Sequence, residues 1–150
     1  MEKILFVCHG NICRSVMGQW IFQDLIDQAG LQNDFYVDSA AVSREETGST
    51  IYPAAKRKLQ EKGIPIGTHF ARQITRDDYD KFDHIYVMDD SNLMLIKRII
   101  RSDPQDKIEL LLEDEEIDDP WYTGNFETAY RQIEKGCKRR LREIRHEKNI

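Results

Sequence analysis

The sequence has few cysteines, no long apolar run and no excess of positive charge. Its three cysteines are too few, and odd in number, for a scaffold held by disulfides, so we expect a reducing, cytoplasmic environment. The longest apolar runs fall far short of a membrane span, and the start of the chain lacks the pattern of a signal peptide. A net charge of −5, from 27 acidic and 22 basic residues, disfavours general binding to nucleic acid. We therefore expect neither a membrane nor a nucleic-acid partner.

The rest of the composition is typical of one soluble globular domain. Hydrophobic residues make up 40% and charged residues 33% of the chain, and a chain of 150 residues can bury one sizeable core but hardly two. Because no internal repeat or flexible linker divides the sequence, we assign 1–150 to a single domain. Short apolar runs alternate with amphipathic segments, which predicts a parallel α/β protein.

This alternation predicts four strands and four helices. The predicted strands are 3–7, 35–37, 83–88 and 108–112. The predicted helices run from Ser15 to a stop at Gly30, over 53–62, from a cap at Ser91 through Arg101, and from a cap at Asn125 through Ile144. Ligands of open parallel sheets bind beyond the carboxyl ends of the strands, so a site is expected in the segments that follow them.

The loop CHGNICRS, residues 8–15, joins the first predicted strand to the first helix. Gly10 and Asn11 are the residue types that best tolerate positive φ, so the backbone can curl around an anion. The backbone amides of such a loop lie at the positive end of a helix and can bind a dianion of the size of phosphate. Arg14 can form hydrogen bonds with two oxygens of that phosphate. We expect Cys8 to be a thiolate in this field, stabilised by a hydrogen bond from Ser15. The alternative is an inert buried cysteine, with Arg14 a surface charge and Ser15 a helix cap.

The same loop resembles the signature of the low-molecular-weight protein tyrosine phosphatases. Further motifs occur in family order: DSAA at 38–41, HxARQI at 69–74, FDxI at 82–85, MDxSNL at 88–93, DPWY at 119–122 and FExxY at 126–130. The resemblance covers 3–141. It implies a three-layer α/β sandwich, in which a four-stranded parallel sheet of order 2-1-3-4 has helices on both faces. It also implies hydrolysis of phosphate monoesters without a metal or other cofactor.

The resemblance implies a role for three catalytic residues. Cys8 is the nucleophile that forms a cysteinyl-phosphate intermediate, Arg14 and the loop amides bind the phosphate, and Asp119 is the general acid and base. Pro120 biases Asp119 towards an extended conformation. The acidic run 113–119 surrounds Asp119 with like charges that help it hold a proton. Asp118 remains an alternative acid.

The expected substrate is a phosphotyrosine-containing protein, with phosphate or vanadate as a competitive inhibitor. Trp121 and Tyr122 should wall the cleft and stack on the substrate ring. The family associates isoleucine at position 12 with tyrosine phosphatases and threonine with arginine phosphatases. Tyr122 also matches a tyrosine that kinases modify, although a wall residue is the simpler interpretation. The full substrate-binding set is His9, Gly10, Asn11, Ile12, Cys13, Ser15, Trp121 and Tyr122.

Supporting residues follow from the same resemblance. Asn11 is expected to be left-handed and held by a network of Ser15, Ser39 and His69, where the histidine is as much scaffold as site. Asp89 is either a support of the site or a helix cap. Cys13 is expected to form a reversible disulfide with Cys8, or else to be buried under the loop; Cys137 is assigned to the core.

Departures from the family pattern concern the rim of the cleft. Val16 replaces a proline at the helix start, His9 replaces a frequent leucine, and the acidic segment 45–48 stands where some members have an aromatic wall. This acidic rim leaves the preferred peptide open, and the sequence allows a monomer or a weak homodimer.

Three other functions share parts of this pattern. A thioredoxin-coupled arsenate reductase would need a further cysteine pair, and residues 70–100 contain no cysteine. A phosphoryl carrier would need the loop but not the acid at Asp119. A phosphate-binding regulatory module would need neither Cys8 nor Asp119 intact.

Overall fold

The computed structural model describes residues 1–150, which form four strands and six helices. In chain order these are β1 (Glu2–Cys8), α1 (Arg14–Gln28), β2 (Phe35–Ala41), α2 (Pro53–Glu61), α3 (Arg76–Lys81), β3 (His84–Val87), α4 (Asp90–Ile96), β4 (Ile108–Leu110), α5 (Pro120–Thr123) and α6 (Phe126–Lys148).

The four strands form one parallel sheet in the order β2-β1-β3-β4, as expected. The central strand β1 is apolar throughout its middle because both of its faces are covered. Ile4 and Phe6 pack in a core with side chains of α1 and α6, whereas Leu5 and Val7 pack in a second core with side chains of α3 and α4. Successive residues of a strand point to opposite faces, so this alternation confirms the three layers.

Strand β2 is four residues longer than predicted, and this extension positions part of the site. It pairs with β1 residue by residue, from Glu2 with Phe35 to Cys8 with Ala41. Asp38 and Ser39 interrupt its apolar pattern, which is why the sequence suggested an earlier end. The extension places Ser39 beside the end of β1.

The helix predicted from Ser91 through Arg101 is wrong at both ends. It begins after Asp89, whose Oδ1 accepts the amide hydrogen of Asn92 at 2.7 Å, and it ends at Ile96. Turns then bring Ile100 back to Ile96, with a backbone hydrogen bond of 2.8 Å, and Ile100 is buried all the same. Apolar spacing predicts burial, but it does not distinguish a helix from successive turns.

Two short helices were not predicted. Thr75 and Asp78 form a capping box that starts α3. Asp119 caps α5, which has Pro120 in its first turn and ends at Gly124 with a φ of 72°. The long helix α6 does begin at the predicted cap: Asn125 accepts a hydrogen bond from the amide of Thr128. No helix has a stretch that is both long and apolar enough to cross a membrane.

Candidate active site

A cleft of about 510 Å³ opens at the carboxyl ends of the central strands. Cys8 is the last residue of β1, Asp89 follows β3, and Asp119 follows β4 on a longer connection. Cys8, Arg14, Asp89 and Asp119 all line this cleft. The parallel sheet thus brings together residues from distant parts of the chain at one edge.

The sulfur of Cys8 is surrounded by hydrogen-bond donors. It accepts the backbone N–H of Asn11 at 3.3 Å and that of Ser15 at 3.4 Å, and it lies 3.0 Å from Ser15 Oγ. Cys8 is buried, yet it faces the cleft. Donors aimed at a sulfur favour its negatively charged form, so the geometry suits a nucleophilic thiolate.

Asn11 holds the loop in its curled conformation. Its φ is 61°, in the left-handed region. Its Nδ2 donates to Ser15 Oγ at 2.7 Å and to Ser39 Oγ at 3.0 Å, and its Oδ1 lies 2.8 Å from His69 Nε2. Gly10, the other residue of the loop whose type tolerates positive φ, does not adopt one. The curl therefore depends on one residue held by three side chains.

Ser15 and His69 complete this network. Because Ser15 Oγ accepts from Asn11, its own hydroxyl hydrogen is left for the sulfur of Cys8. Ser15 is not the helix cap; Cys13 occupies that position and makes no side-chain cap. Burial lowers the pKa of His69, and this effect is larger than the increase caused by the nearby carboxylate of Asp38. A neutral His69 donates from Nε2 to Oδ1 of the Asn11 side chain.

Arg14 is almost fully buried and is held in one orientation. Its Nη1 donates to Asp89 Oδ2 and to the carbonyl oxygen of Ile117, both at 2.8 Å, and its Nη2 lies 3.4 Å from Asp119 Oδ2. Burial alone would lower the pKa of this guanidinium, but Cys8, Asp119 and Asp89 raise it. Asp89 has both roles considered from the sequence, since one oxygen caps α4 and the other holds Arg14.

The connection that carries Asp119 is tied to the sheet. The amide of Leu111 donates to the Val87 carbonyl at 2.8 Å, and that of Ile117 donates to the Met88 carbonyl at 2.9 Å. Asp119 Oδ1 accepts the amide of Trp121 at 3.1 Å, which leaves Oδ2 on the side of Arg14. These contacts place one oxygen of Asp119 in the cleft.

Aromatic side chains form one wall of the cleft. Trp121 and Tyr122 line it, and both are exposed. The Trp121 ring packs edge-on against Tyr52, with 5.0 Å between centroids, and Tyr52 stacks on Phe126 at 6.1 Å. The sequence analysis did not identify Tyr52 as part of the site. Its position directly before the start of α2 was the only feature of the sequence that could have pointed to it. Tyr52 braces Trp121 from behind.

A second residue that sequence reasoning missed is Arg72. Its Nη2 donates to Asp38 Oδ2 at 3.1 Å, its Nη1 donates to Asp78 Oδ2 at 2.9 Å, and its backbone amide reaches Asn11 Oδ1 at 3.4 Å. The residue lies within the HxARQI motif, but spacing alone does not separate a scaffold arginine from a surface one. Arg72 links the network around Asn11 to α3.

The remaining cysteines are both buried. Burial, followed by the nearby Cys8 and Asp119, raises the pKa of Cys13 to about 12. Cys137 is fully buried in the core, as expected, and burial raises the pKa of its thiol. All three cysteines are free thiols. Ile12 lies at the cleft floor beside Cys13.

The chain matches the family model "Low molecular weight phosphotyrosine protein phosphatase" over residues 3–150. It is 36% identical over 156 aligned positions to the low molecular weight protein-tyrosine-phosphatase YfkJ of Bacillus subtilis, with all of both chains covered. The crystal structure of YfkJ superposes with a TM-score of 0.94, covering 99% of this chain and 97% of that one. The low molecular weight phosphotyrosine protein phosphatase of Gallus gallus is 40% identical over 92% of both chains. A Drosophila arginine phosphatase is 35% identical, with a TM-score of 0.85 over 96% of this chain and 98% of that one.

Proposed function

The chain belongs to the low-molecular-weight phosphotyrosine protein phosphatase family and is a phosphoric monoester hydrolase, and we propose that it hydrolyses phosphotyrosine in proteins through a phosphorylated Cys8. One observation supports this mechanism above all. The sulfur of Cys8 accepts hydrogen bonds from two backbone amides of the loop, and it lies in the same cleft as Arg14 and Asp119. We further propose that 1–150 acts as one catalytic domain.

Arg14 offers one free edge to a phosphate. Its Nη1 is occupied by Asp89 and the Ile117 carbonyl, whereas its Nε makes no hydrogen bond within the protein and its Nη2 has only the long contact with Asp119. The Nε–Nη2 edge is planar and suits two oxygens of a phosphate. The loop amides bind the others, and the phosphorus then lies in line with the sulfur. Phosphoryl transfer depends mainly on such positioning and charge stabilisation.

The reaction then takes two steps. The thiolate of Cys8 attacks phosphorus while the bond to the tyrosyl oxygen breaks, and Asp119 gives its proton to that leaving oxygen. A water molecule next attacks the phosphocysteine, loses a proton to Asp119, and releases phosphate and the thiolate. The Ser15 hydroxyl and two amides stabilise the sulfur as it leaves.

Asp119 suits the acid role better than Asp118. Asp118 is exposed, does not line the cleft, and has its backbone amide bound to the side chain of Gln132. Asp119 lines the cleft and reaches Arg14. This difference supports Asp119 as the proton donor.

Phosphotyrosine is favoured by the aromatic wall and by Ile12. A substrate ring between Trp121 and Ile12 gains apolar contact on both of its sides. The name of one relative, an arginine phosphatase, makes phosphoarginine the alternative substrate. A direct comparison of the two phosphorylated residues, in the same peptide, decides between them.

The decisive experiment replaces the nucleophile. We expect Cys8→Ser to lower the turnover of an aryl phosphate by at least about a thousandfold, because a serine hydroxyl is not ionised there. Vanadate, a competitive inhibitor in this mechanism, should still bind the variant, as measured by the change in tryptophan fluorescence, to which Trp121 beside the cleft contributes. Cys137→Ala, which removes a core thiol remote from the loop, serves as the control. Undiminished turnover in Cys8→Ser would refute the mechanism.

A further inference from the structure

Part of the cleft lining is acidic. Glu45 and Glu46, on the loop between β2 and α2, line the mouth together with His9. We propose that this pair of glutamates makes the enzyme select phosphotyrosine peptides that carry lysine or arginine next to the phosphorylated residue. The inference rests on the proposed function, since it specifies which phosphotyrosine substrates the site accepts.

Glu46 is held at the edge of the phosphate-binding loop. Its side chain passes Gly10 so closely that a Cβ at that position would lie 3.4 Å from Glu46 Cγ. The hydroxyl of Ser49 donates to Glu46 Oε2 at 3.2 Å. No lysine or arginine pairs with this carboxylate. Glu46 therefore presents an oriented negative charge beside the entrance.

Glu45 extends the same acidic surface outward. Its side chain is 70% exposed, and its ionisable partner is His9, whose Nε2 lies 3.3 Å from Glu45 Oε2. Arg44, the preceding residue, does not line the cleft. Two carboxylates without a lysine or arginine partner are thus adjacent at the mouth.

The other acidic side chains that line the cleft contact a cation. Asp89 and Asp119 both contact Arg14. In the acidic run before Asp119, the partners come from α6: Glu113 and Asp114 contact Arg139, and Glu115 contacts Lys135. Glu116 and Asp118 have no basic partner but do not line the cleft, so Glu45 and Glu46 are the lining carboxylates that no lysine or arginine contacts.

A peptide that places its phosphotyrosine on Arg14 brings its flanking residues to the mouth of the cleft, which Glu45 and Glu46 line. Cations at those flanks would pair with Glu45 or Glu46, whereas acidic flanks would be repelled. Exposed ion pairs contribute little individually, so each gives roughly a 1.5- to fivefold effect. With two glutamates, we expect kcat/KM for a basic peptide to exceed that for an acidic peptide by roughly three- to tenfold at low salt.

The test uses two phosphotyrosine peptides of the same length, one flanked by lysines and one by aspartates, and an aryl phosphate without flanks. Wild type, the double variant Glu45→Gln/Glu46→Gln, and Glu147→Gln are compared. Glu147 is an exposed glutamate near the end of α6, so its variant makes the same type of charge change away from the cleft. The ratio of kcat/KM between the two peptides should fall towards one in the double variant and persist in Glu147→Gln.

The preference should also shrink as salt rises from low to physiological concentration in the wild type, because exposed charges are screened. This measurement needs no variant and covers the case in which the double variant fails to fold. Equal kcat/KM for both peptides in the wild type, or a ratio that the double variant retains, would overturn the inference. Hydrolysis of the aryl phosphate separates the two hypotheses: its absence refutes the proposed function, whereas its presence without peptide selection refutes the inference on Glu45 and Glu46 alone.

Discussion

The guanidinium of Arg14 contacts the carboxylate of Asp119, which is 105 residues further along the chain, with 3.4 Å between Nη2 and Oδ2. The proposed phosphate-binding cation and the proposed acid therefore share one side of the cleft. A phosphate that accepts hydrogen bonds from Nη2 of Arg14 competes with Asp119 for the same N–H groups. Substrate binding is thus expected to loosen the hold of Arg14 on the acid at the moment when a proton is needed.

The role of Asp119 predicts a dependence on the leaving group. Asp119→Ala should lower kcat for phosphotyrosine by roughly 10²- to 10⁴-fold, because the tyrosyl oxygen then leaves without a proton. An aryl phosphate with a nitro-substituted, weakly basic leaving group should lose much less in the first step. Single-turnover release of the phenol measures that step. Asp118→Ala, which changes the neighbouring carboxylate outside the cleft, is the matched control, and equal losses on both substrates would argue against an acid at Asp119.

His69 predicts that the protein loses stability as the pH falls. Burial lowers its pKa in the folded state below the value of 6.5 expected for the unfolded chain. The unfolded chain therefore takes up the proton first, and the stabilising contribution of neutral His69 is present above pH 6.5 and lost as the pH falls below it.

This loss can be measured as the change in urea unfolding free energy between about pH 8 and about pH 5. His69→Gln should show a smaller change than the wild type, since it removes the titrating group while keeping a side-chain amide that can donate. His146→Gln, at an exposed position in α6, should retain the wild-type dependence. A wild-type change that His69→Gln fully preserves would show that other groups cause it.

The adjacent Cys13 predicts a protective disulfide. With a pKa of about 12, the Cys13 thiol is protonated at neutral pH, so peroxide should oxidise Cys8 first. Conversion of Cys8 to a sulfenic acid removes the Cys8 charge, which is one cause of the raised Cys13 pKa, while burial, the larger cause, remains. The Cys13 sulfur then attacks the sulfenic acid and water leaves, which forms the disulfide.

Mass spectrometry of peroxide-treated wild type should show a peptide linked through Cys8 and Cys13, and thiol treatment should restore activity. Cys13→Ser should instead accumulate irreversibly oxidised Cys8. Over-oxidised Cys8 without any linkage in the wild type would contradict the prediction.

The buried Arg140 predicts a large stability effect far from the cleft. Its guanidinium donates to the Leu111 carbonyl and pairs with Glu109 and Glu143, and its carbon lies 4.9 Å from the ring centroid of Tyr86. Arg140→Met keeps the apolar stem but leaves the buried Leu111 carbonyl without its donor, at a cost of about 1–3 kcal/mol in unfolding free energy.

Arg139→Met is the matched control, because Arg139 makes similar ion pairs at a more exposed position and should cost about 0–1 kcal/mol. Urea unfolding measures both variants. If the two substitutions cost the same, the buried hydrogen bonds of Arg140 do not contribute as argued.

Parts of the fold that depend on local pattern were predictable. The apolar strands, the loop between Cys8 and Arg14, and the Asn125 cap are all visible in short segments of sequence. The end of β2 was not, because Asp38 and Ser39 are polar residues in a strand, and each is satisfied by partners that are distant in sequence: Arg72 for Asp38, and Asn11 for Ser39. The length of α4 was missed because burial of Ile100 is achieved by turns.

By itself, the sequence determined the alternation of strands and helices and the curled loop before α1, since both follow from the spacing of neighbouring residues along a strand or at a helix start. The three layers and the strand order were expected only from the family resemblance. Only the tertiary structure decided which remote side chains meet at the sulfur of Cys8. Asp89 and Asp119 reach Arg14 because β3 and β4 lie successively beside β1, and Glu46 reaches Gly10 because β2 lies on its other side. Strand order sets these contacts, and strand order is a property of the whole packed sheet rather than of any segment.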